Sequence, residues 1–113
     1  MISDLTLRTL QSSLQGLDAR RKAAEDNIAN VETPGFRANV VSFEDSLKTA
    51  VSRHNPMSAE VKVESSTAAT RMNGNNVNVA DEMTGLTETA LRQQLVVQAL
   101  NSKYSVLRTA IGN

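Results

Sequence analysis

Side-chain chemistry needs reactive groups held close together, and this sequence offers few of them. Its single histidine, His54, sits beside Asn55-Pro56 in a stretch that reads as a loop. There is no cysteine and no second histidine to complete a metal site. The adjacent carboxylates Glu44-Asp45 and Asp81-Glu82 fall at expected helix starts, where capping and the helix dipole account for them without acid–base catalysis. No serine has a base in a defined relation to it, and the five glycines are too scattered for a phosphate loop. The one basic run, Arg20-Arg21-Lys22, is followed by Glu25 and Asp26 at the four-residue spacing of helical ion pairs. The residues therefore predict no catalytic group, no cofactor and no metal.

Composition narrows the class further. A chain of 113 residues is enough for one domain with a modest core. Only 3% of residues are aromatic and none is Trp, so packing must come from Leu, Val, Ile, Ala and Met. Twelve basic and twelve acidic residues cancel, which gives no support for nucleic-acid binding. No run of about 18 apolar residues is present to span a membrane. The start, MISDLTLRTLQSSL, lacks the pattern of a cleavable secretory signal, so transport out of the cytoplasm would need another export route.

The elements that organise the chain lie at its two ends. Leu7, Leu10, Leu14 and Leu17, then Ala24, Ile28 and Val31, step by threes and fours, with Arg21 as the one misfit. The last segment repeats the pattern with Val79, Met83, Leu86, Ala90, Val97, Leu100, Tyr104, Leu107 and Ile111, interrupted by Gln93. Such narrow stripes predict coiled-coil seams, and the cheapest partner for each is the other. The expected fold is all-α: long N- and C-terminal helices paired as an antiparallel coiled coil, with a short helix and an irregular loop between. Leu91, Leu95 and Val96 beside the seam imply a third apolar contact. Asn78 is placed to cap the last helix, and Glu88 and Arg92 to pair along it.

A single domain in three segments follows: an N-terminal helix over 1–32, a connecting stretch over 33–77, and a C-terminal helix over 78–113. Within the connection, Ser42 and Asp45 have capping-box spacing ahead of a short helix at about 43–52, which His54-Asn55-Pro56 stops. AEVKVES alternates weakly like a strand, and the stretch 65–78 reads as a loop that a partner could order. Pro34 bars Thr33 from helical geometry, so the first helix ends by about residue 32. Thr33-Pro34-Gly35-Phe36 suits a type II turn with positive φ at Gly35. Asn27 and Asn30, three apart, could bond the backbone of the turning chain and fix its exit.

The stretch DNIANVETPGFR resembles the N-terminal signature of the bacterial flagellar axial proteins, the rod, hook and hook-associated family. Asn27, Ile28, Ala29, Asn30, Thr33, Pro34, Gly35 and Phe36 carry the match, and Glu32 stands where Asn is common. The ending is similar to a proximal rod member through Asn76, Val77, Glu82, Met83, Asn101, Lys103, Tyr104, Leu107, Arg108, Ala110, Ile111 and Gly112. The resemblance implies a non-enzymatic subunit of the proximal rod that polymerises helically into a torque-bearing drive shaft required for motility. It also implies export by the flagellar type III secretion apparatus without a cleavable signal, and a place in the periplasmic part of the basal body. Implied partners are copies of itself, other rod proteins and the base and export-gate components, with no nucleic acid and no direct membrane span. Another axial rod component, or a cytoplasmic coiled-coil adaptor or export chaperone, are the alternatives.

Overall fold

The computed structural model describes residues 2–112, and side chains from Leu5 onward. Two long helices give the molecule its extents of 64 × 26 × 14 Å. The first, α1, covers Ile2–Ala29, and the last, α3, covers Val79–Ile111. At 1.5 Å per residue they run for about 42 and 50 Å. They pack together: Glu82 near the start of α3 meets Asn27 near the end of α1, while Val96, later in α3, packs against the cluster that Leu17, earlier in α1, forms with Val41 and Phe43. Among the described residues, no helix is long and apolar enough to cross a membrane.

The molecule is mostly helical, as expected, but the connecting stretch adds a small sheet that the all-α expectation lacked. Strand β1, Asn39–Ser42, pairs antiparallel with β2, Lys62–Ser65, in a two-stranded sheet with Val41 opposite Val63. A lone two-stranded ribbon is marginal in water and needs something to pack on. Here Val41 and Phe43 turn down onto α1, and with Leu17 they form the core, flanked by Ala19, Ala23, Leu47 and Val96. Gly16 makes the contact possible, because a Cβ there would run into the Phe43 ring. Strand β2 falls within the AEVKVES stretch that alternates like a strand, whereas β1 escaped the sequence reading because its support comes from α1, earlier in the chain.

Helix α2, Glu44–Ser52, lies close to the expected bounds, but its start differs. The Ser42–Asp45 capping box does not form; Phe43 occupies the cap position with no side-chain cap bond. Burial of Phe43 sets the corner instead, and Glu44 is drawn to Arg20 at 2.6 and 2.7 Å. The helix ends as anticipated, with His54 at φ 59° and a single 3-10 turn over Pro56–Ser58. Local ion pairs also shift. Arg21 reaches Glu25 as expected, whereas Lys22 pairs with Asp18 rather than Asp26.

Candidate assembly surface

At one end of the helical pair the signature residues form a compact polar junction. The amide of Asn27, only 1% exposed, behaves like a neighbouring strand: its Oδ1 accepts from the Asn39 N–H at 2.8 Å and its Nδ2 donates to the Asn39 carbonyl at 3.0 Å. The same Nδ2 donates to Glu82 Oε1 at 3.1 Å, so one side chain ties α1, β1 and α3. Burial holds the Glu82 carboxyl above the usual carboxylate range; Asp81 adds to this and the Asn27 amide opposes it.

Asn30 turns back along the helix, donating to the Asp26 carbonyl at 2.8 Å and accepting from the Thr33 hydroxyl at 3.1 Å. The expected turn follows, with a Phe36 N–H bond to the Thr33 carbonyl at 3.2 Å and Gly35 at φ 76°. Ile28, Asn30 and Phe36 are half-buried, whereas Ala29, Thr33, Pro34 and Gly35 are exposed. The signature therefore divides into a buried amide, Asn27, a half-buried one, Asn30, and an exposed tip.

The sequence reading missed what closes this junction from the other side. Asn75, with no exposed surface, donates through Nδ2 to the carbonyls of Asn30 and Thr33, both at 2.9 Å. Its Oδ1 accepts from the Val77 N–H at 2.8 Å and from Arg71 at 2.9 Å. Arg71 also donates to the carbonyls of Val31 and Val77, and Asn76 Oδ1 accepts from the Ala38 N–H. The Asn-rich stretch read as a loop awaiting a partner is thus tied into the fold. Its composition was visible; its partners some forty residues upstream were not.

Along the shaft, α3 turns one column of side chains toward α1 and leaves a more apolar column in solvent. Glu82, Leu86, Thr89, Gln93, Val96, Leu100, Lys103 and Leu107, with Gly85 and Ala99 beside them, are the less exposed positions, and the first eight make a three-four repeat that faces α1. Of the expected seam, Leu86, Leu100 and Leu107 belong to that repeat, while Met83, Val97, Tyr104 and Ile111 point out, from 43 to 81% exposed. On α1, Leu17 is buried and Leu7, Leu10, Leu14 and Ile28 are half-buried. At the start of α3 the Asn27–Glu82 bond ties Glu82 to the α1 side, and the side chain of Asn78 caps the helix on the Asp81 N–H. A second clamp acts midway: Glu44 takes Arg20 in a two-pronged pair and lies 3.7 Å from Arg92. Arg20 holds the Glu44 carboxyl down at about 2, and Arg20 itself stacks over the Phe43 ring.

The exposed flank of α3 carries open apolar hollows, one lined by Ala90 and Val97, another by Tyr104, Leu107 and Ile111. Leu91, Leu95 and Val106 are exposed on the side away from α1. By contrast, the exposed side chains of α1 among those described are Arg8, Gln11, Gln15, Lys22, Glu25, Asp26 and Ala29, all polar but the last. Among the described residues no cluster could hold a metal ion.

No family model matches the chain. It is similar to the flagellar basal body rod protein FlgB of Bacillus subtilis, at 30% identity over 119 residues that span 94% of this chain and 92% of that protein. Near-complete coverage of both chains, across the signature turn, the connection and the last helix, means that the chain belongs to the FlgB family of flagellar basal body rod proteins.

Proposed function

We propose that this rod subunit polymerises through the exposed flank of α3, joining copies of itself and other rod proteins in the proximal part of the shaft that carries torque to the hook. The observation that carries the reading is the second apolar column of Met83, Val97, Tyr104 and Ile111, left uncovered by α1. A helix apolar on more than one side is stable in water only when more than one neighbour covers it. In this reading α1 and α3 are an antiparallel coiled coil, supported by the Asn27–Glu82 bond at one end and by Val96 against the cluster around Leu17 further along. The segments 1–32, 33–77 and 78–113 act as one stiff unit, with no enzymatic step. Export through the flagellar type III apparatus and contact with the base of the basal body in the periplasm complete the proposal.

The test is a double substitution, Val97→Asp with Tyr104→Asp. Both sites are exposed, so the isolated fold should change by no more than about 0.5 kcal/mol per site. Cells carrying it should nevertheless lack rods and motility, as cells lacking the gene should. Normal numbers of complete basal bodies in the double mutant would remove α3 from the subunit contact.

A further inference from the structure

Surface turns between helices are ordinarily among the more mobile parts of a protein. The tip at residues 32–35 is an exception: Thr33, Pro34 and Gly35 are exposed, yet the chain beneath them is held by a side chain with no exposed surface at all. That side chain, Asn75, spends both amide protons on the Asn30 and Thr33 carbonyls, at 2.9 Å each. Both carbonyls lie just past the end of α1 and also accept from the Thr33 and Phe36 N–H groups, so Asn75 braces the backbone bonds of the turn itself. Its oxygen is taken by the Val77 N–H and the Arg71 guanidinium, which fixes which way the amide points. Alongside, the Gly35 N–H donates to the Asn73 carbonyl at 2.8 Å, and Gly74, at φ 83°, brings the strap against Gly35. The arrangement sets the angle at which the chain leaves α1 and, through Val77 and Asn78, the point at which α3 begins.

We infer that Asn75 is a positioning residue for assembly: acting through the carbonyls of Asn30 and Thr33, it holds the signature turn rigid so that each subunit presents an identical end to the rod. This inference rests on the rod reading, but on a different part of the molecule from the α3 flank. Preorganisation is the physical gain, since an end ordered before docking does not lose conformational freedom on contact.

Asn75→Asp is the informative variant: it keeps size and shape, places its new charge beside the Arg71 guanidinium, and replaces both donors with a carboxylate oxygen that faces the two carbonyls. Asn75→Ala removes donors and acceptor together. Each is placed in the full chain in cells lacking the native gene, and protein level and complete rods are counted. In the purified full chain, amide exchange is followed at Gly35 and Phe36. The expected result for Asn75→Asp is a near-normal protein level, exchange at the turn faster by roughly tenfold or more, and complete rods fewer by roughly tenfold. Asn75→Ala should be at least as severe. Unchanged exchange or a normal rod count for Asn75→Asp would overturn the inference. So would a fall in rods matched by an equal fall in protein level, because the role would then be bulk stability. If cells without the gene still build rods, the rod reading fails instead, whatever these variants do.

Discussion

The two ends of the folding problem in this chain are solved in opposite ways. At the junction of Asn27, Asn30, Asn75 and Asn76, the buried amides all have partners and the region is complete within one subunit. Along α3, apolar side chains such as Val97, Leu95 and Ile111 stand in solvent, and the region is incomplete until something covers it. Buried polar groups must be satisfied inside the subunit because leaving them unpaired is costly in every state. Apolar surface can be left over, because its burial is non-directional and a neighbour serves as well as a core. A polymer subunit can thus hold its shape through hydrogen bonds and its neighbours through leftover apolar surface.

The sharpest way to break this contrast is to damage the shaft where it is already closed. Leu100→Asp puts an unpaired charge at a position only 8% exposed and should cost about 3–5 kcal/mol. Urea unfolding would show it, in contrast to the near-silent Val97→Asp. A smaller loss is expected at the junction: Asn27→Ala strands the N–H and carbonyl of Asn39, for about 2–3 kcal/mol. If Asn27→Ala instead unfolds at the wild-type midpoint, the junction is not what holds β1 to α1.

Acid gives the smallest effect. The Glu44 carboxyl, depressed from 4.5 to about 2 chiefly by its bond to Arg20, contributes stability above its unfolded value that is lost as pH falls from near 4.5 toward 2. Glu44 is half-exposed, so screening limits the contribution to about 1 kcal/mol or less. Glu82, raised by burial, works the opposite way and offsets part of it as it protonates. Glu44→Gln should flatten the loss of stability between pH 4.5 and 2, and an unaltered acid profile would show that the clamp is not felt in the folded state.

Much of this was legible in the residues. The stripes of Leu7 to Leu17 and Leu86 to Leu107 announce two long helices, because a 3.6-residue period is local information. Pro34 and Gly35 announce a turn by restricting their own φ angles, and the Asn78 cap and the Glu88–Arg92 pair, at 2.7 Å, are contacts of near neighbours. The strand β1 was not legible, nor was the choice of Glu82, Thr89 and Val96 over Met83, Ala90 and Val97 as the inward column. Periodicity favours the more apolar column. The structure turns the other one inward, with Asn27 of α1 bonded to Glu82, a member of that column.

By itself, then, the amino-acid order determined which segments are helical, where the first helix must stop and that more apolar surface exists than one hairpin can hide. Those are consequences of backbone restriction and spacing, which act over a few residues. Which side of α3 is hidden, what holds the tip and what is left over for neighbours were decided only in the folded chain. Hydrogen bonds across some forty residues of chain have no signature in local spacing.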